Sequence, residues 1–267
     1  MADRLAEQGV VVGNRALVEN YVYLNIKGPQ IAAAVQPGQY AFIRCTGSTD
    51  PFLRRPISIC HVNREEGTIG LLVKVVGKGT GIISRYRAGD SVDMMGPIGT
   101  PFPLLEGSRP LLVAGGIGIA PLMLLAEELA ANGIKAVTLY SAASEKSLFF
   151  RQRLRRVSEL KVATEDGSIG IKGTAIDLLE EEIAAKRYSH IYTCGPKAMM
   201  AKVQKIAIKN GIDGFVSLEE RLACGIGACS GCAFPIRTGE NGKQEYKKVC
   251  VDGPVFALEE VVFDGQD

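Results

Sequence analysis

Cys224, Cys229 and Cys232 fall within nine positions, in the stretch CGIGACSGC, and Cys250 follows after a gap of seventeen residues. The spacing C-x4-C-x2-C…C suits four thiolates converging on a [2Fe–2S] cluster. Gly225, Gly227 and Gly231 allow left-handed backbone angles that turn amide N–H groups toward sulfur, where they stabilise the charge of a cluster. A structural zinc site more often shows two C-x2-C knuckles, and this segment has one. A disulfide or unliganded set is the third alternative. The chain holds seven cysteines, an odd number, and its start, MADRLAEQGV, lacks the apolar core of a secretory signal. A reduced, cytoplasmic setting is therefore expected, in which cysteines act as ligands, catalysts or core residues. Cys45 and Cys60 sit in apolar, strand-like stretches and read as core.

Two further stretches have the residue types of a phosphate site. VAGGIGIAPL, 113–122, joins an apolar strand to a helix, and glycines there let backbone amides approach a pyrophosphate. Gly115, Gly116 and Gly118 supply the flexibility, and Pro121 stands where a G-x-G-x-x-G fingerprint would have its last glycine. A tight turn without a ligand is the alternative. The next strand ends in LYSA, with neither a ribose-binding acid nor an arginine pair to choose between NAD and NADP. TCGP, 193–196, puts Cys194, Gly195 and Pro196 at another strand-to-helix junction, where ligands of open α/β folds bind, with a plain core role for the lone Cys194 as the alternative. Earlier in the chain, Arg55 and Ser58 flank Pro56-Ile57, and VKVVGKGTG follows. An arginine and a Gly-Lys-Gly-Thr turn could hold a pyrophosphate, or be a surface side chain and a hairpin. His61 and His190 read as structural, and no general acid or base is expected.

The elements that position these residues change character along the chain. The first hundred residues form short Val-, Ile- and Tyr-rich runs split by Gly, Pro and Asn: VVVGNRALVENYVYLNIKG, QYAFIRC, PISICHV, TIGLLVKVV and DSVDMMG. They predict an antiparallel barrel or sandwich. After PFPLLEGSRP the pattern alternates. LLVAGG, KAVTLYSA and IYTCG read as strands; IAPLMLLAEELAANG, SLFFRQRLRRVSEL and PKAMMAKVQKIAIKNG read as helices. Alternation of this kind predicts a doubly wound parallel sheet. The tail from 218 is too short to hold itself together without a staple. The expected division is therefore 1–103, 104–217 and 218–267. The 267 residues are 46% apolar and 22% charged with a formal net charge of +2, which gives no electrostatic reason to expect nucleic acid or an anionic membrane as partner. No apolar run reaches the roughly 18 residues of a transmembrane helix.

Taken together, R-P-I-S with G-x-G-T resembles the flavin-binding barrel of ferredoxin reductase-like proteins, and G-G-I-G-I-A-P with C-G-P resembles their pyridine-nucleotide domain. SLEERLACGIGACSGC, with V-C-V-D-G-P-V-F around Cys250, is similar to the electron-transfer subunits of dihydroorotate dehydrogenase B. The resemblance covers about 8 to 256. It implies an FAD-binding antiparallel barrel, an NAD-binding α/β domain and a small [2Fe–2S] module. It also implies an FMN-containing dihydroorotate dehydrogenase catalytic subunit as partner, in a heterotetramer of two of each chain. Position by position, Arg55, Pro56, Ile57 and Ser58 would line the flavin, with Arg55 on its phosphates. Leu72, Val73 and Lys74 would continue that wall, and Gly79 and Thr80 would bind phosphate. Gly115, Gly116, Gly118, Pro121, Cys194, Gly195 and Pro196 would face the nucleotide. Cys224, Cys229, Cys232 and Cys250 would ligate iron. GENGKQE, 239–245, would be a hairpin insertion that leaves ligation unchanged.

NADH exchanges two electrons as a hydride and a [2Fe–2S] centre one at a time, so a chain with both sites needs a flavin between them. The expected relay runs from partner FMN through cluster and FAD to NAD+, serving pyrimidine biosynthesis. No stretch is left over for an organic-substrate domain. The small subunit of NADH-dependent ferredoxin:NADP+ oxidoreductase, also described as sulfide dehydrogenase, has the same three parts. There the first cluster ligand is an aspartate, so Cys224 favours the dihydroorotate family. A zinc-stapled binding module without flavin is the rival of another kind.

Overall fold

The computed structural model describes residues 5–106, 109–238 and 242–263. The chain forms two compact units. The first holds 1–101 with 219–233 and 248–254, and the second holds 102–218 with 234–247 and 255–267. The tail, expected as a separate module over 218–267, is instead divided between the two units.

The first unit is a closed six-stranded antiparallel barrel of β1 (Leu5–Val18), β2 (Tyr21–Lys27), β3 (Tyr40–Ile43), β4 (Arg55–Asn63), β5 (Thr68–Lys74) and β6 (Ser91–Ile98), in the order β1-β2-β5-β4-β3-β6. β2 alternates buried and half-buried residues along YVYLNIK, the period of a strand with one face in the core. Leu24, Ile26, Ile43, Ile59, Ile69 and Leu71 are fully buried. Two six-residue helices, α1 (Pro29–Ala34) and α2 (Lys78–Ile83), interrupt the strands. The carboxylate of buried Glu7 accepts the N–H groups of Gln30 and Ile31 and so closes the start of α1. Sequence GKGTG, open to a hairpin reading, is instead the opening turn of α2.

The second unit is built on a seven-stranded sheet containing β7 (Pro110–Gly115), β8 (Ala136–Ala142), β9 (Ser158–Thr164), β10 (Ile171–Lys172), β11 (His190–Cys194), β12 (Asp213–Ser217) and β15 (Val255–Ala257). Its order is β10-β9-β8-β7-β11-β12-β15, parallel except for β15. Helices α3 (Ile119–Ala131), α4 (Arg151–Val157), α5 (Ala175–Ala185) and α6 (Lys197–Lys209) connect the strands. Gly133 and Gly211, both with positive φ, follow α3 and α6 as the sequence predicts. A separate hairpin pairs β13 (Ala233–Thr238) with β14 (Lys243–Lys248). The expected hairpin insertion, 239–245, overlaps this pair, and its residues 239–241 lie outside the described residues.

SLFFRQRLRRVSEL differs from its helical reading. Only 151–157 is helical, and Ser158 begins β9. The run SELKVAT joins a parallel strand on β8, and this ladder overrides local helix propensity. α5 went unread because its stretch is acidic, but its start is well specified: Thr174 Oγ accepts the Ile176 N–H, and Asp177 accepts the Thr174 N–H. Glu182, on that helix, is 1% exposed and is paired with Lys161, Lys186 and the Tyr188 hydroxyl.

Candidate functional site

In the first unit, β4 runs antiparallel to β3, with Arg55 opposite Ile43, Pro56 opposite Phe42, Ile57 opposite Ala41 and Ser58 opposite Tyr40. Arg54 and Arg55 are adjacent in sequence and do different things. Arg54 grips both carboxylate oxygens of Asp93 at 2.8 Å. Arg55 donates to the Leu53 and Arg54 carbonyls, and no ion pair to a carboxylate involves it among the described residues. Its guanidinium lies against Gly79, where an added Cβ would sit 2.5 Å from Arg55 Nε. A cationic fork thus faces a glycine turn, the arrangement expected for a phosphate cradle. Thr80 is 7% exposed, and its hydroxyl is used inside this turn, accepting the Val76 and Gly77 N–H groups at 2.9 and 3.3 Å. Thr80 therefore shapes the turn with its hydroxyl, and the guanidinium is a group able to meet an anion beside it. Leu72 and Val73 are buried in β5, whereas Lys74 is exposed with Nζ 5.7 Å from the centre of the Tyr21 ring.

The cysteine segment belongs to the same unit as this wall. Leu222 packs on the cluster of Tyr40, Phe42 and Ile98. Gly225, at φ 69°, lies so close to the Phe42 ring that a Cβ would approach it to 2.7 Å. Gly227, at φ 84°, abuts Val251, and the Lys248 ammonium donates to its carbonyl at 2.7 Å. Backbone amides do turn onto sulfur: Ile226 N–H to Cys224 Sγ at 3.4 Å, Gly231 N–H to Cys229 Sγ at 3.4 Å and Cys250 N–H to Cys232 Sγ at 3.5 Å. Burial works against ionisation of Cys224, yet hydrogen bonds from Ile226 and Cys229 outweigh it and lower its pKa. Cys250, 1% exposed, is pushed up by burial and by its contact with Cys232. The thiols are paired in twos, and among the described residues no three His, Cys, Asp or Glu side chains share a point at metal-binding distance. The donor set, four sulfurs with amides aimed at three of them, fits a cluster that takes thiolates and N–H bonds.

In the second unit, Gly115 ends β7, a 3-10 turn covers Gly116–Gly118 and α3 begins at Ile119. β7 and β11 are parallel neighbours with Ala114 beside Cys194. Since β8 and β9 lie to one side and β11 and β12 to the other, the strand order reverses between β7 and β11. Ligands of open α/β sheets bind outside the carboxyl ends at such a point. There the two loops close on one another. A Cβ on Gly118 would meet the Cys194 carbonyl oxygen at 2.2 Å, and one on Gly115 would meet Met199 Sδ at 2.7 Å and Pro196 at 2.9 Å. Gly195, at φ 158°, faces the Gly115 backbone. The Tyr140 hydroxyl donates to the Gly116 carbonyl at 3.1 Å and holds the turn. Pro121 is buried in the first turn of α3, where its missing N–H costs no helix bond. Cys194 is 1% exposed, so its thiol faces protein. Buried His190 takes a hydrogen bond with Ser189 and an edge contact with Tyr192 at the opposite end of β11, which supports its structural reading.

Sequence reasoning missed Phe42, Leu222 and Lys248, which seat the cysteine segment, and Met199 and Tyr140, which support the glycine loop. Each acts across a long sequence separation and belongs to no local motif.

Three family models match successive parts of the chain. Residues 14–102 match the oxidoreductase FAD-binding domain, 112–205 the oxidoreductase NAD-binding domain, and 219–262 the iron-sulfur cluster binding domain of dihydroorotate dehydrogenase B. A solved structure described as NADH-dependent reduced ferredoxin-NADP oxidoreductase aligns with a TM-score of 0.87 at 30% identity, over 96% of this chain and 90% of that one. The ferredoxin reductase of carbazole 1,9a-dioxygenase shares the fold at a TM-score of 0.68 and 18% identity, over 78% and 67% of the two chains. The dihydroorotate dehydrogenase B (NAD(+)) electron transfer subunit of Desulforamulus reducens is 43% identical over 249 residues, 92% of this chain and 94% of that one. Its counterpart from Bacillus caldolyticus is 37% identical over 259 residues, 96% and 98% of the two chains. At 43% and 37% identity to these subunits over nearly the whole chain, and with 219–262 matching their iron-sulfur domain, the chain belongs to the family of dihydroorotate dehydrogenase B electron transfer subunits.

Proposed function

We propose that this chain carries electrons from the FMN of a dihydroorotate dehydrogenase catalytic subunit, through a [2Fe–2S] cluster and FAD, to NAD+. The observation that carries this reading is the seating of the cysteine segment on the barrel. Gly225 rests on Phe42, a residue of the strand that pairs with Arg55–Ser58, and Leu222 packs on the cluster that Phe42 forms with Tyr40 and Ile98. The FAD and cluster regions are therefore parts of one compact unit. Flavin, when bound, supplies the exchange between two-electron and one-electron chemistry. The protein's own work is positional. Arg55 and the Gly77–Thr80 turn hold phosphate; Pro56, Ile57, Ser58, Leu72, Val73 and Lys74 form the wall; Cys224, Cys229, Cys232 and Cys250 hold iron. In the second unit, Gly115, Gly116, Gly118, Pro121, Cys194, Gly195 and Pro196 surround the place for NAD(H).

The partner is the FMN-containing catalytic chain, in a heterotetramer of two of each, in the cytoplasm. No helix among the described residues is long and apolar enough to cross a membrane. The fold similarity to ferredoxin-NADP oxidoreductase does not separate the two families, and Cys224 at the first ligand position favours the dihydroorotate reading. The test uses purified chain with its cofactors, alone and with its partner. Alone it should be brown-yellow, contain iron and flavin, and reduce dyes with NADH without oxidising dihydroorotate. Dihydroorotate turnover by the chain alone, or zinc without flavin, would overturn the assignment.

A further inference from the structure

At the amino edge of the second unit's sheet lies a cavity of about 970 Å³ that the electron path does not use. β7, β8 and β9 are parallel, so the ends that open onto this cavity are opposite to those that carry the glycine loop. Strands of six or seven residues at about 3.3 Å per residue separate the two places by roughly 20 Å.

Four cations line the cavity, Arg109, Lys135, Arg155 and Arg156, against one carboxylate, Glu159. Glu159 is already engaged, 3.6 Å from the Lys186 ammonium. None of the four cations takes part in an ion pair among the described residues; Arg109 instead lies 5.2 Å from the centre of the Tyr188 ring. Ile134 and Val157 give the wall an apolar stretch. Arg155 and Arg156 sit in the last turn of α4, where they also offset its carbonyl end. Arg109 and Lys135 lie outside the helices and have no such duty. Four exposed like charges thus border one concave place without forming ion pairs among the described residues, an arrangement that raises the local concentration of anions.

We propose that this cavity binds a phosphorylated small molecule of at least two negative charges. The guanidinium and ammonium groups would take the phosphates through charge-assisted hydrogen bonds, and the apolar wall any organic part. Full-length protein loaded with FAD and saturated with NAD+, which the proposed function places at the glycine loop, is titrated calorimetrically with inorganic pyrophosphate and, separately, with ATP. Saturable binding that weakens with added salt is expected. In Arg155→Ser/Arg156→Ser it should weaken at least about tenfold, corresponding to about 1.4 kcal/mol. Lys135→Gln, in an exposed loop position, should weaken it in the same direction and guards against misfolding of the double variant. Tighter ATP than pyrophosphate assigns a role to the apolar wall, and equal affinity assigns recognition to phosphate alone. Absence of saturable binding for both probes, or binding unaltered by both variants, overturns the proposal.

Discussion

The cysteine loop and the glycine loop are both glycine-rich, and their glycines answer different demands. At Gly118 and Gly115 the demand is space, because the Cys194–Gly195 backbone and the Met199 and Pro196 side chains respectively occupy the place where a Cβ would be. At Gly225 and Gly227 it is also conformation, since φ values of 69° and 84° are left-handed. The glycine loop is framed by hydrogen-bonded parallel strands on both sides. The cysteine loop has no ladder of its own and depends on Phe42, Val251, Lys248 and whatever its thiols hold. One loop is therefore set by the sheet before any ligand arrives, and the other needs its ligand as a staple.

Removing the staple should have the largest effect. Cys250→Ser should bring iron per chain close to zero and abolish the cluster's visible absorption. Hydrogen exchange across 219–233 should then rise sharply, while β7 and β11 keep their protection. Equal loosening of both loops would break the comparison. Next in size is Gly118→Ala, whose Cβ meets a backbone carbonyl. A loss of about 1–3 kcal/mol in urea unfolding is expected from overpacking. Gly116→Ala, at φ 55° but with open space around it, should cost only the left-handed term of about 1–2 kcal/mol.

Arg54 and Arg55 sharpen the same contrast between holding the fold and holding a ligand. Arg55→Ala should weaken FAD binding about 10- to 100-fold, as loss of a charged hydrogen bond worth about 1.5–3 kcal/mol would, with little change in the stability of the cofactor-free chain. Arg54→Ala should cost up to about 1 kcal/mol of stability through the partly exposed Asp93 pair. The smallest effect concerns pH. Burial alone would raise the Glu182 pKa, but hydrogen bonds from Lys161, Tyr188 and Lys186 hold it down to about 2. A carboxylate whose folded pKa is depressed stabilises the fold above its unfolded pKa and loses that contribution as pH falls toward the folded value. Melting temperature should therefore drop between about pH 4.5 and 2 in the wild type, and less steeply in Glu182→Gln.

Both the barrel and the alternating half were legible because alternation in runs such as YVYLNIK and the glycines after α3 and α6 are local signals. β9 was not, because RRVSEL satisfies a helix locally and its strand state comes from pairing with β8. The tail's division between two units was equally hidden. Val255–Ala257 extends a sheet whose other strands lie far earlier in the chain.

What the amino-acid sequence determined by itself was the chemistry: four sulfurs at a cluster's spacing, glycines where backbone must bend, and an arginine before a Pro-Ile pair. These depend on residue type and short separations. Tertiary structure alone decided which of two adjacent arginines is committed to Asp93, that the Thr80 hydroxyl is spent inside its turn, and that Phe42 seats the cysteine loop. It also decided that Arg109, Lys135, Arg155 and Arg156 meet at one sheet edge. Each outcome depends on contacts between residues distant in sequence, which only packing and strand pairing bring together.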